Sequence, residues 1–295
     1  MRVNPNPMPD LLAALNQTQL EAQQAMLEIS TGRSVNEPSD NPTAAALLVE
    51  NNDQATFNSG YLQSLDSVQG QLSTADSTLS SVTTALQRAI SLGVEGANGT
   101  LSDNDRAAIA NELQGIQSQL VSLANTAYQG NYAFAGTNTK TAPYVLDSAS
   151  PSGVDYVGNS DVNQVSIGNG YKLTVNQPGS KLFSASGNDV FLAVNSLIQA
   201  LQTNTGIGAA VTSLSAASSY LSAQRVFYGN AMNQAQSQTT YLNTAKLQIS
   251  QQQNTLGGAD LATAATNLTQ FQTDTQATLA AISKMSQNNL FDYLK

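Results

Sequence analysis

The chain has no cysteine, no histidine and no tryptophan. Without cysteine there is no disulfide and no thiolate nucleophile. Without histidine there is no imidazole for acid–base work, and the common zinc sites lose their ligands. These absences leave open chemistry by carboxylates alone, such as a two-carboxylate glycosidase or a magnesium site. Charge is scarce as well, at 11% of residues, and 20 acidic against 11 basic side chains give a formal net charge of −9. That balance repels phosphate backbones, so no nucleic-acid partner is expected. No apolar run approaches the ~18 residues that cross a bilayer, and no membrane partner is expected. The opening stretch from Met1 to Pro9 lacks the apolar core of a secretory signal. An extracellular destination is therefore expected to be reached without a cleaved signal peptide.

What the chain does contain is helical periodicity. Tyr61, Leu65, Val68, Leu72, Ala75, Leu79, Val82, Leu86 and Ala89 alternate steps of four and three, with Ser, Thr, Gln, Asp and Gly between them. This is heptad spacing, a helix with one narrow apolar seam. A helix with one such seam needs partners along its length. Pro42, after Asp40 and Asn41 as candidate caps, starts this helix, and it is predicted to run to about Leu92. Fifty residues at 1.5 Å each make a rod of about 75 Å, so an elongated molecule is expected. Gly93 to Thr100 then reads as a turn.

Ile109, Leu113, Ile116, Leu120, Leu123 and Ala127 repeat the alternation in a second helix, which can fold back antiparallel. Ser102, Asp103 and Asp105 precede it and read as capping residues, not as a metal pair. From Gly130 to about Asn188 the texture changes to short β-type runs broken by Gly, Pro, Asn and Asp. Asn169-Gly170 there is a hairpin signal. A short helix follows Asn188 or Asp189. After Gly206-Ile207-Gly208 a second long helix is predicted from about Ala209 to Thr255, with Leu214, Leu221, Tyr228, Met232, Ala235, Leu242, Ala245, Ile249 and Leu256 as its stripe.

Both ends carry a weaker helix beyond a breaker. The first, from Asp10, places Leu11, Leu15, Ala22, Met26 and Ile29 on one face. The last, after Gly257-Gly258 and the candidate cap Asp260, carries Leu261, Ala265, Leu268, Phe271, Leu279, Ile282 and Met285. The expected fold is mainly α: an elongated antiparallel bundle of long helices, terminal helices paired as a coiled coil, and a small β-rich insert. Its divisions are an assembly helix with breaker (1–42), a helical rod (43–129), the outer β insert (130–188), the returning rod (189–256) and a C-terminal assembly helix (257–295).

One stretch is more specific than periodicity. Ser30-Thr31-Gly32, Asn36, Pro38-Ser39-Asp40, Pro42 and Ala44-Ala45 stand in the order and spacing of the signature near the N-terminus of bacterial flagellins, which this chain resembles. Leu86-Gln87-Arg88, Ala97-Asn98-Gly99-Thr100 and Ser102 to Arg106 are similar to the stretch that follows it. The run Gly130 to Thr139 with Pro143-Tyr144, and the ending Leu290-Phe291-Asp292-Tyr293-Leu294, are closer to the family's hook–filament junction subunits than to its filament subunits.

The resemblance implies a structural, self-assembling flagellar subunit with no catalytic, cofactor-binding or metal site. Its implied partners are copies of itself in a ring, a neighbouring hook-associated protein, flagellin and a flagellar export chaperone. It implies export in an unfolded state to the extracellular flagellum, terminal helices in the inner tube and the insert outside. From the weak seams, the terminal helices are expected to order on assembly, when neighbours bury Leu11, Leu15, Met26, Ile29, Leu261, Leu268, Leu279 and Ile282. A minimal filament flagellin is the alternative within the family, and a carboxylate-only glycosidase the alternative outside it.

Overall fold

The structure is a computed structural model that describes residues 8–292, with side chains as far as Met285. In chain order the elements are helix α1 (Met8–Thr31), α2 (Pro42–Gly96) and α3 (Asp103–Ala124); strands β1 (Ala127–Tyr128), β2 (Asn131–Tyr132), β3 (Tyr144–Leu146), β4 (Val154–Tyr156), β5 (Gln164–Gly168) and β6 (Tyr171–Thr174); the single turn α4 (Gly179–Leu182); strands β7 (Ser184–Ala185) and β8 (Asn188–Asp189); and helices α5 (Val190–Thr203), α6 (Ile207–Gly257) and α7 (Leu261–Asp292). The chain divides into two compact units, one of residues 58–243 and one that joins 1–57 to 244–295. The helical class, the long helices and the β-rich insert are as the sequence predicts.

In the central unit, residues 58–243, the seam that begins at Tyr61 is the core. Leu72, Leu79, Val82, Leu86 and Ala89 are fully buried, and Tyr61 packs at the margin. Leu113 and Leu120 of α3, Leu197 of α5 and Leu214, Leu221, Tyr228 and Ala235 of α6 close over it. Cross-links show that α2 and α6 run antiparallel: Gln69 donates to Thr239 at 3.3 Å, and Arg225 holds Asp76. Arg88 reaches Glu112 on α3 at 2.7 Å.

Several boundaries differ from the expectation. Helix α2 continues through the predicted turn to Gly96. Gly93 and Gly96 are needed there as spaces, since a Cβ on Gly93 would lie 2.6 Å from a Val211 methyl and one on Gly96 2.2 Å from Leu201. The seam of α3 stops before Ala127, because the helix ends at Ala124 with Asn125 as its C-terminal cap. The Asn125 carboxamide then accepts from the Tyr144 N–H at 2.9 Å and donates to its carbonyl at 2.8 Å, completing the edge of β3 as a strand would. Helix α6 begins at Ile207, inside the predicted break, and Gly206 takes the left-handed φ of 73°.

The insert is four two-stranded antiparallel hairpins, β1–β2, β3–β4, β5–β6 and β7–β8. Gly168 pairs with Tyr171 across Asn169-Gly170, as the hairpin signal predicts, and only Gly170 of the two takes a positive φ, 72°. The last hairpin and α4 carried no β or helix pattern that sequence could separate from a loop. Phe134, Phe183, Tyr144 and Phe191 knit the insert to α5, with Phe134 and Phe183 meeting edge to face at 5.2 Å. Asp189 caps α5 by accepting from the Leu192 N–H at 2.8 Å. Its burial pushes the carboxyl above its usual range, against the pull of the Leu192 and Phe191 N–H groups.

Candidate assembly interface

The terminal unit contains α1, α7 and the adjoining ends of α2 and α6. Helix α1 packs against α7. The described helix already includes Met8 and Pro9, ahead of the predicted start at Asp10. The residues of α1 that lose solvent along the seam are Leu11, Leu15, Thr18, Ala22 and Ala25, again at steps of four and three. On α7 they are Ala264, Leu268, Phe271, Thr275, Thr278, Ile282 and Met285, with the same alternation. Each helix thus presents a heptad seam, but much of it is Ala and Thr. Of these seam residues only Ala25 and Ala264 are buried, and the others are half-buried.

Further large apolar side chains lie off the seam. Leu20 is 61% exposed, Met26 57%, Leu261 51% and Leu279 49%, with Leu12, Leu27 and Ile29 also exposed. Of the eight residues predicted for assembly, the pair itself brings Leu11, Leu15, Leu268 and Ile282 into its half-buried seam. Met26, Ile29, Leu261 and Leu279 it leaves in solvent. Ala25, Ala264, Thr275 and Thr278 also lie on the seam but are not large apolar residues, and their regular spacing was the available signal. The ending from Leu290 to Leu294 lies outside the described side chains.

The signature residues form the turn between α1 and α2. Gly32 ends α1 with φ 68° and donates to the Glu28 carbonyl at 2.8 Å. The Thr31 hydroxyl accepts from the Arg33 N–H, and the Asn36 carboxamide donates to the Arg33 carbonyl at 2.8 Å. Asp40 is not the cap of α2. It turns back and accepts from the N–H groups of Asn36 and Glu37, both at 2.9 Å. Those donors, Glu37 first, hold its carboxyl below the usual carboxylate range. Asn41 caps α2 by accepting from the Ala44 N–H at 3.0 Å, and Pro42 takes the first helical position. Ser30 lies in the last turn of α1, and Pro38 and Ser39 lie exposed within the turn that Asp40 closes.

This turn meets the break at the other end of the chain. Arg33 and Gly258 form an antiparallel β-bridge, in which the Ser34 N–H donates to the Gly257 carbonyl at 2.9 Å and the Ala259 N–H to the Gly32 carbonyl at 3.0 Å. Gly257 fits because a Cβ there would stand 2.9 Å from a Leu48 methyl. Asp260 then caps α7, accepting from Thr263 and Ala262. Its carboxyl is held low by the Thr263 backbone first, then by the Thr263 hydroxyl and the Ala262 N–H. Nothing in the sequence pattern marked Arg33 and Gly258 as partners, since the bridge is made by backbone atoms alone.

The acidic pair beside α3 has structural employment. Ser102 and Asp105 form a reciprocal capping box, and Asp103 pairs with the buried Arg106. The Ser102 hydroxyl, more than its N–H, holds the Asp105 carboxyl low. Among the described residues, no group of three or more acidic side chains could hold a metal ion, and no helix is long and apolar enough to cross a membrane.

Comparison with known proteins adds names to this geometry. The N-terminal helical region of bacterial flagellin matches residues 7–139, and its C-terminal helical region matches residues 203–294. Flagellar hook-associated protein 3 of Escherichia coli (strain K12) is 35% identical over 190 residues, which are 60% of this chain and 58% of that protein. The protein of the same name from Salmonella typhimurium (strain LT2) is 34% identical over 206 residues, 65% of this chain and 63% of its own length. The chain therefore spans less than two thirds of either relative. A candidate flagellar hook-associated protein from Vibrio parahaemolyticus has a TM-score of 0.67 at 22% identity, covering 73% of this chain and 98% of its own, and shares the fold.

Proposed function

The chain belongs to the bacterial flagellin family, and from that premise we propose that it is a structural subunit of the junction between flagellar hook and filament. The observation that carries assembly is the terminal helix pair. A pair half of whose seam is Ala and Thr, with Leu20, Met26, Leu261 and Leu279 outside it, buries too little apolar surface to be held firmly by itself. Neighbouring subunits supply the missing burial. The interface residues of this reading are Met26, Ile29, Leu261 and Leu279 outside the pair, with Leu11, Leu15, Leu268 and Ile282 tightened when it is compressed. Ser30, Thr31, Gly32, Asn36, Pro38, Ser39, Asp40 and Pro42 serve by shaping the turn that carries α1.

In this reading the subunit leaves the cell unfolded with an export chaperone and orders its ends on assembly. It meets copies of itself, a hook-associated neighbour and flagellin in the extracellular flagellum, and it performs no catalysis. The terminal pair faces the inner tube and the β insert faces outward. What favours junction over filament is the name shared by the two relatives above 30% identity.

The test is a strain lacking the gene, viewed by electron microscopy with its medium assayed for flagellin. Hooks of normal form with flagellin lost to the medium are expected. Intact filaments would overturn the junction role.

A further inference from the structure

Exposed aromatic rings are few here, and two of them gather on one groove. Tyr171, on the β5–β6 hairpin, is 45% exposed, and Tyr241, on α6, is 65% exposed. Between them lies a groove of about 400 Å³ whose remaining lining is Asn233, Gln234, Ser237 and Gln238. These four and Tyr241 follow at helical spacing along one face of α6, so the helix alone lays them out in a row. The hairpin approaches that face closely. A Cβ on Gly168 would stand 2.8 Å from the Gln238 amide nitrogen, and the Tyr171 hydroxyl lies 3.5 Å from Gln234.

We propose that this groove binds a neutral oligosaccharide. Its chemistry is rings and uncharged amides, with no carboxylate, ammonium or guanidinium in the lining. The face of a tyrosine ring is electron-rich and accepts the weakly positive C–H groups on one side of a pyranose. A carboxamide carries donor and acceptor side by side, and neighbouring sugar hydroxyls require that combination. Asn233, Gln234 and Gln238 supply three of them, and Ser237 adds a hydroxyl. An anionic ligand would find no counter-charge in the groove. A purely apolar one would strip water from three carboxamides without replacing their hydrogen bonds. This inference is independent of the flagellar reading, because it rests on the central unit alone.

The test uses the whole protein with mannotetraose, chitotetraose and laminaritetraose as probes, followed by saturation-transfer NMR and titration. At least one is expected to bind, with affinity lowered tenfold or more in Tyr171→Ala and in Tyr241→Ala and retained within about threefold in Tyr241→Phe. Unfolding curves of each variant separate lost binding from lost folding, and Tyr220→Ala, elsewhere on α6, is expected to bind as the parent does. Failure of all three sugars to bind overturns the proposal, as does binding that survives in the Tyr171→Ala/Tyr241→Ala double variant. Self-association of the parent that these same variants abolish also overturns it, and assigns the groove to a second copy of the chain.

Discussion

Arg225 on α6 grips both carboxylate oxygens of Asp76 on α2, Nε to Oδ1 and Nη2 to Oδ2, each at 3.0 Å, across 149 residues of sequence. The fork is planar and bidentate, and both side chains are about two-thirds buried. It fixes the rotation of two long helices whose stripes are otherwise mostly Leu, Ala and Val, with Tyr61 and Tyr228. Asp76→Ala is expected to lower stability by about 1–2 kcal/mol, and Arg225→Lys by nearly as much, because an ammonium cannot reproduce the fork. Urea unfolding of both variants and their combination checks this through a double-mutant cycle.

Two glycines on neighbouring helices are predicted to behave oppositely. Gly93→Ala would push a methyl to 2.6 Å from Val211 and 2.9 Å from Leu197, and is expected to destabilise by about 1–3 kcal/mol. Gly115, within α3, meets nothing within 4 Å, so Gly115→Ala is expected to stabilise by about 0.5–1 kcal/mol. Thermal unfolding distinguishes them by the sign of the shift.

The bridge between the two breaks can be cut one bond at a time. Ala259→Pro removes the donor to the Gly32 carbonyl, and Ser34→Pro the donor to Gly257. Each is expected to weaken amide-exchange protection in α1 and α7 by about fivefold to tenfold, the worth of one net hydrogen bond. Protection in residues 58–243 should not change. Exchange followed by mass spectrometry reports both regions together.

Met26→Gln and Leu279→Gln touch exposed side chains, so each is expected to change the stability of the isolated protein by no more than about 0.5 kcal/mol. Assembly should suffer instead, with motility lost or sharply reduced in cells carrying either variant. A variant that destabilises the free subunit as much as a core substitution would show that these residues are already buried.

Acid is expected to loosen the turn and the helix starts that three carboxylates tie together. Asp40, Asp105 and Asp260 all have folded-state values below the ordinary 3.8. A lowered carboxyl value contributes stability that is complete above the unfolded value and is lost as pH falls through the folded one. The breaker turn and the starts of α3 and α7 are therefore expected to loosen below about pH 3.8. NMR titration of the three carboxyls, with exchange of the Asn36 and Glu37 amides, follows this directly.

The legible parts of this molecule were those written in large side chains. Leu72, Leu79 and Leu86 fall at heptad steps, and nothing but a buried helical seam explains them. The terminal seam has the same arithmetic in Ala25, Ala264, Thr275 and Thr278, and was obscured because small and polar residues carry little hydrophobic signal. The hairpin at Asn169-Gly170 was readable from its turn. The β7–β8 hairpin was not, since two-residue strands leave no alternation to count. The Arg33–Gly258 bridge was beyond reach, because backbone pairing between distant segments has no side-chain signature.

That bridge also sets an order of events. The unit it belongs to is made of the two ends of the chain, whereas residues 58–243 are continuous. Closing a loop of that length costs entropy that only completed contacts repay. The central unit has all its strands, and the stretches of α2 and α6 that belong to it, within one run of residues and can condense while either end is still absent. The terminal unit has to wait for α7. A chain delivered end first, from either end, would therefore pass through a state with a finished middle and two unmatched ends, and its last step would be the meeting of Gly32 with Ala259.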